Sequence, residues 1–142
     1  MKLHNKMKNV LQALSGLSEL AWGDQTRSLL PELATVHLYR VGEKKAIFRK
    51  FNVWINGQYV GKLRNWSSLV LVVEPGLLRI EASLSGLTLL PPRREVFSLD
   101  VLPGELYYVQ GDHRTGLLRG YLALSEVTER TWRRYWPKFL RK

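Results

Sequence analysis

Asn56-Gly57 is the dipeptide that most restricts how this chain folds. It stands between two runs of strand-forming residues, Phe51-Asn52-Val53-Trp54-Ile55 and Gln58-Tyr59-Val60-Gly61-Lys62-Leu63. Asparagine and glycine supply the positive φ angles of a two-residue type I′ turn, so the segment predicts a β-hairpin. The turn also sets a register: Ile55 opposes Gln58 and Val53 opposes Val60 on one face, while Trp54 opposes Tyr59 on the other. Trp54 and Tyr59 then form a cross-strand aromatic pair, either partly buried or presented as a contact platform.

The same kind of punctuation recurs along the chain. Leu69-Val70-Leu71-Val72-Val73 runs into Glu74-Pro75-Gly76 and emerges with Leu78, Ile80, Ala82 and Leu84 alternating with Arg79, Glu81 and Ser83, the period of a half-buried strand. Val96 to Val101 runs into Leu102-Pro103-Gly104 and emerges as Leu106-Tyr107-Tyr108-Val109. Proline presets φ and glycine accepts a positive φ, so both segments predict type II hairpin corners. Leu89 to Arg94 holds Pro91 and Pro92 and predicts a loop or an edge crossing. Gly111 to Gly116 predicts a hairpin tip, followed by a last strand from Leu117 to Leu124. With a first strand at Val36 to Val41, these runs amount to about eight, which predicts an all-β, antiparallel two-sheet sandwich of immunoglobulin-like or transthyretin-like kind.

The chain has 142 residues, 45% of them hydrophobic and 24% charged, in the range of one ordinary globular domain. We divide it into an N-terminal helix and linker over 1–34, the sandwich over 35–127 and a C-terminal helix over 128–142. Leu3, Met7, Val10, Leu14, Leu17 and Ala21 share one helical face. Gln12, Ser15, Ser18 and Glu19 interrupt the apolar stretch and weigh against a cleaved secretory signal. That helix is expected to strap onto the domain, or to dock on a partner or a membrane surface. No apolar run reaches the ~18 residues of a transmembrane helix.

The order of these motifs resembles the bacterial family called domain of unknown function 2846. The resemblance rests on Thr35-Val36-His37-Leu38-Tyr39-Arg40, Val53 to Leu63, Val73-Glu74-Pro75-Gly76 and Leu102-Pro103-Gly104-Glu105-Leu106-Tyr107-Tyr108-Val109, and covers Thr35 to Val127. It implies a β-sandwich and, for many members, lipoprotein attachment to the bacterial envelope. It supplies no catalytic residues. The lipid-bearing cysteine of those members has no counterpart here, since the chain has Cys 0, so the resemblance points to the envelope while the sequence itself points to a cytoplasmic or peripheral membrane protein.

Candidate chemistry is sparse. The absence of cysteine removes disulfides, thiolate metal sites and a thiol nucleophile. No HExxH, P-loop or GxGxxG spacing occurs, so neither a metal nor a nucleotide cofactor is expected. Of three histidines, His4 lies near the start and His37 on a strand. Asp112-His113 with Thr115 offers parts of a hydrolytic triad, a minor alternative, because neighbours on a short tip point apart. The expectation is therefore a non-enzymatic protein.

Charge carries more information. Lys and Arg number 22 against 12 Asp and Glu, a net charge of +10. The stretch 40–64 holds Arg40, Lys44, Lys45, Arg49, Lys50, Lys62 and Arg64 against Glu43 alone, and 130–142 holds Arg130, Arg133, Arg134, Lys138, Arg141 and Lys142 with no acid. Trp132, Tyr135, Trp136, Phe139 and Leu140 fall on one face of a helix that Thr128 caps and that Pro137 kinks or ends near Trp136. The aromatic face either packs across an open end of the sandwich or meets a partner. We expect an envelope- or membrane-associated accessory protein whose basic face holds an acidic protein or an anionic membrane surface. The candidate contacts are Trp54, Tyr59, Arg130, Trp132, Arg133, Arg134, Trp136 and Lys138. The alternative is a soluble cytoplasmic protein-interaction module. Nucleic-acid binding is a lesser alternative, because no groove-reading motif supports it.

Overall fold

The computed structural model describes residues 32–86, 92–116 and 120–141. The N-terminal helix expected before the sandwich lies outside the described residues. Eight strands are seen: β1 (Ala34–Arg40), β2 (Phe51–Ile55), β3 (Gln58–Leu63), β4 (Ser68–Val73), β5 (Gly76–Leu84), β6 (Arg94–Val101), β7 (Leu106–Thr115) and β8 (Gly120–Val127). A short 3-10 turn (Lys44–Ala46) follows β1, and a helix, α1 (Glu129–Phe139), follows β8. They form two four-stranded sheets, β4-β1-β7-β8 (sheet A) and β3-β2-β5-β6 (sheet B). The protein is an all-β two-sheet sandwich. All pairings within it are antiparallel except β1 with β7, which run parallel with Leu38 beside Val109.

Alternation builds the core. Val36 and Leu38 of β1, Val53 and Ile55 of β2, Leu78, Ile80 and Ala82 of β5, and Leu122 of β8 all point between the sheets and are buried. Each large aliphatic side chain buried there contributes about 1.5–3 kcal/mol.

Asn56 and Gly57 adopt φ 47 and 80, and Trp54 faces Tyr59 across the hairpin they make. A bulge corrects the expected register at one point: Val53 lies opposite Gly61, not Val60. Gly61, at φ 148, takes up the extra residue, which lets Val60 turn inward toward the core.

Both glycines take the expected positive φ, Gly76 at 122 and Gly104 at 73, but only the second segment closes a turn, with the Glu105 N–H donating to the Leu102 carbonyl oxygen; Gly76 is already the first residue of β5. Neither segment is a hairpin corner, however. Glu74-Pro75 leads from β4 in sheet A to β5 in sheet B, and Leu102 to Glu105 leads from β6 in sheet B back to β7 in sheet A. The turn chemistry is the same in either setting; the sheet that receives the next strand is decided by packing.

The expected tip at Gly111 to Gly116 is instead mostly strand, since β7 runs through Gly111 to Thr115; the last strand is seen from Gly120 to Val127, and its expected start at 117–119 lies outside the described residues. Gly111 serves close packing, because a Cβ there would sit 2.9 Å from Leu122 Cδ2. Asp112 and His113 are consecutive strand residues and so point to opposite faces. Asp112 accepts from the Gln110 amide, while His113 turns inward to Glu43. The two parts of a triad suspected here do not meet.

Candidate functional site

The site takes shape where β1, β3, β5 and β7 end, here termed the loop end. The β1–β2 loop (41–50) and the β3–β4 turn (64–67) lie there. Helix α1 starts at the opposite end and runs back toward it: Trp132 packs on Tyr108 and His37, and Phe139 on Tyr39 and Trp66. The two basic stretches, far apart in sequence, therefore converge.

Arg40 shapes the β1–β2 loop. Its alternation on β1 drives it inward, where it is fully buried. Its guanidinium donates to the carbonyl oxygens of Arg49 and Ala46, the latter at 2.9 Å, and lies 5.0 Å from the Phe51 ring. Burial pushes its pKa below the usual guanidinium range, with Glu43 opposing and Arg49 acting the same way as burial. Glu43 fastens the start of the loop: its N–H donates to Asn65 Oδ1 at 2.8 Å, and its carboxylate lies 3.2 Å from His113 Nδ1. Between these fixed points Ile47 is 49% and Phe48 94% exposed, flanked by exposed Lys44, Lys45, Arg49 and Lys50.

Helix α1 forms because Thr128 caps it, accepting from the Thr131 N–H, and because its aromatic residues share one face. Pro137 does not end it, and the helix continues to Phe139. Arg133, whose carbonyl loses its N–H partner to the proline, and Pro137 itself both lie on the exposed side. The aromatic face lies on the outer face of sheet A, not across an open end of the sandwich. Trp132 is 6% exposed, with its ring 4.7 Å from that of Tyr39 and stacked on Tyr108 at 5.9 Å. It is core, which removes it from the candidate contact residues. Arg130, Arg133, Arg134, Trp136 and Lys138 remain exposed. Arg133 is ion-paired with Glu129, and Lys138 Nζ lies 5.0 Å from the Trp66 ring centre.

Trp66 closes the junction between helix and loops. It adopts φ 51 and packs against the rings of Tyr135 and Phe139. It also rests flush on Gly42, where a Cβ would come within 1.9 Å of the indole nitrogen.

Trp54 and Tyr59 lie elsewhere, on the outer face of sheet B. Their ring centres are 6.0 Å apart. Arg94 covers Trp54 at 4.4 Å and, with Arg79, grips the buried Glu81 carboxylate at 3.1 Å on each side. Tyr59 is 48% exposed and Trp54 half-buried. The candidate contacts thus fall on two separate surfaces.

Sequence reasoning overlooked Ile47 and Phe48, although an apolar pair set among Lys44, Lys45, Arg49 and Lys50 is legible as an amphipathic tip. It also counted Arg40 with the surface charge, where the structure buries it. Among the described residues no helix is long and apolar enough to cross a membrane, and no group of acidic or histidine side chains is placed to hold a metal ion. No family model matches the chain, and a search of curated proteins found no match to it.

Proposed function

We propose that this protein is a non-enzymatic, membrane-associated accessory module that attaches to an anionic membrane surface through the loop end of its sandwich. The observation that carries the proposal is the polarity of the molecule along its strands. Lys44, Lys45, Lys50, Arg64, Lys138 and Arg141 are exposed at or beside the loop end, where the exposed acid Glu43 faces His113. Among the described residues, Glu32, Glu74, Asp100, Glu105, Glu126 and Glu129 are exposed at the other, and outnumber the exposed Arg79, Arg130 and Arg133 there, the last paired with Glu129. A basic residue near an anionic lipid surface contributes about 1 kcal/mol, and the attraction fades within a Debye length of ~8 Å at physiological salt. Gathering cations at one end places several within that distance together, and the acidic end turns away. The resemblance to domain of unknown function 2846 belongs to the same proposal; its motifs occupy β1, the β2–β3 hairpin, both inter-sheet corners and β7, which frame the sandwich.

Flotation with lipid vesicles tests it. The protein is expected to float with vesicles containing phosphatidylglycerol at low salt, to be released as salt rises, and to stay behind with pure phosphatidylcholine. Failure to float with the anionic vesicles, or binding that salt does not weaken, would overturn the proposal.

A second reading, a protein-interaction module acting through sheet B, is favoured by the exposed Tyr59 beside Trp54. Under it, Tyr59→Ala leaves stability and vesicle binding unchanged and removes association with a protein partner.

A further inference from the structure

We infer that the β1–β2 loop is a membrane-inserting tip, with Ile47 and Phe48 entering the interfacial layer of an anionic bilayer while Lys44, Lys45, Arg49 and Lys50 lie against its headgroups. The inference rests on the membrane reading above and names the residues that would touch lipid.

Phe48 is 94% exposed, the most of any large hydrophobic residue described, and its neighbour Ile47 is half exposed. Adjacent apolar residues displayed to water with exposed cations on either side of them in the loop favour a surface that is apolar within and anionic at its boundary.

The loop is also held in this shape. Both hydrogen bonds that the buried Arg40 guanidinium donates end on carbonyl oxygens of this loop, at Ala46 and Arg49, on either side of the apolar pair. A guanidinium is costly to bury unless its donors are satisfied. Here Nη1 and Nη2 find their partners in the loop carbonyls while Nε has none among the described residues, so moving the loop would strip the buried guanidinium further, and core and loop geometry are coupled. Glu43 adds its own ties to Asn65 and His113. A loop held this way keeps Phe48 from folding back onto the protein.

A side chain that stands this far out of the surface suits a fluid interface, which accepts it without a preformed pocket; a protein partner would need a matching cavity. Bases of a nucleic acid would stack on Phe48 but have no use for Ile47. Leu140, 65% exposed beside Arg141 where α1 ends, supplies another aliphatic contact toward the same end.

The absence of cysteine makes the test direct. Phe48→Cys carrying an environment-sensitive nitrobenzoxadiazole label is mixed with phosphatidylglycerol vesicles, some with nitroxide-bearing lipid. The expected result is a blue-shifted, brighter emission that the nitroxide quenches. The same label at Leu77→Cys, exposed at the acidic end, should keep its aqueous spectrum. Protein that floats with the vesicles while the label at position 48 stays in water would overturn the insertion and leave the membrane reading standing. Protein that does not float would overturn both. As an unlabelled check, Phe48→Ser should weaken vesicle affinity about tenfold or more without changing the urea midpoint; unchanged affinity would likewise overturn the inference.

Discussion

Trp132 and Trp54 each lie over the outer face of a sheet, and their surroundings differ. Trp132 comes from a separate element, α1, and presses onto His37, Tyr39 and Tyr108 of sheet A, a patch without a formal charge. Trp54 projects from sheet B itself, where no described helix covers it. Its neighbours are Arg94, Glu81 and Tyr59. An outer face therefore becomes core only when another element brings apolar surface to it. Otherwise the face covers itself, here by laying a guanidinium over the indole and placing a carboxylate between two arginines. Such a lattice tolerates water at its edges, whereas the aromatic stack beneath the helix excludes it.

Substitutions that act on one face and not the other test this contrast. Trp132→Ala should cost about 3–5 kcal/mol in urea denaturation, the loss expected for a large buried aromatic. A loss below about 1 kcal/mol would mean that the helix does not cap sheet A in solution. Gly42→Ala acts on the same cap from its far side, pushing Trp66 off its seat against Tyr135 and Phe139, and should cost about 1–3 kcal/mol. Its effect should shrink when Trp66 is already alanine, a double-mutant cycle that isolates the clash. Trp54→Ala should cost only about 1 kcal/mol, because it removes a half-exposed ring and one cation–π contact. A penalty equal to that of Trp132→Ala would erase the distinction between the faces.

The smallest expected effect is a pH dependence. Burial under the helix lowers the His37 pKa from 6.5. The folded state therefore takes up this proton less readily than the unfolded chain, and stability falls as pH drops below 6.5 toward the lowered folded value. His37→Phe keeps a ring beside Tyr108 and Trp132 and removes the titration. Denaturation midpoints at pH 7 and pH 5 should draw closer together in this variant than in the parent; an unchanged gap would place His37 in water.

What the sequence disclosed follows from how local each decision was. Asn56-Gly57 and Thr128 act within three residues of themselves, so the hairpin and the helix start were legible. Glycine at φ 122 or 73 was equally local, but whether the chain after Pro75 or Pro103 returns to its own sheet depends on partners dozens of residues away. Gly111 resembled a turn residue because sequence does not reveal that Leu122 will lie against it. The candidate surface divided along the same line. The cations were evident as two stretches, yet their convergence required the parallel β1–β7 pairing and the return of α1. Trp132 and Trp136 share one periodic face, and only the position of the helix on sheet A made the first core and left the second exposed.

The place of β1 has a consequence for how the molecule is assembled. It is an inner strand, flanked by β4 and β7, and Tyr39 reaches Gln110 across 71 positions of the chain. Sheet B draws its four strands from the single stretch Phe51 to Val101. During synthesis sheet B can therefore close first, while β1 keeps one flank of hydrogen-bonding groups unpaired until Leu106 to Thr115 has emerged. Folding should be limited by this late, long-range closure. Until it occurs, a nascent chain offers neighbouring chains the same open edge that β7 will later fill.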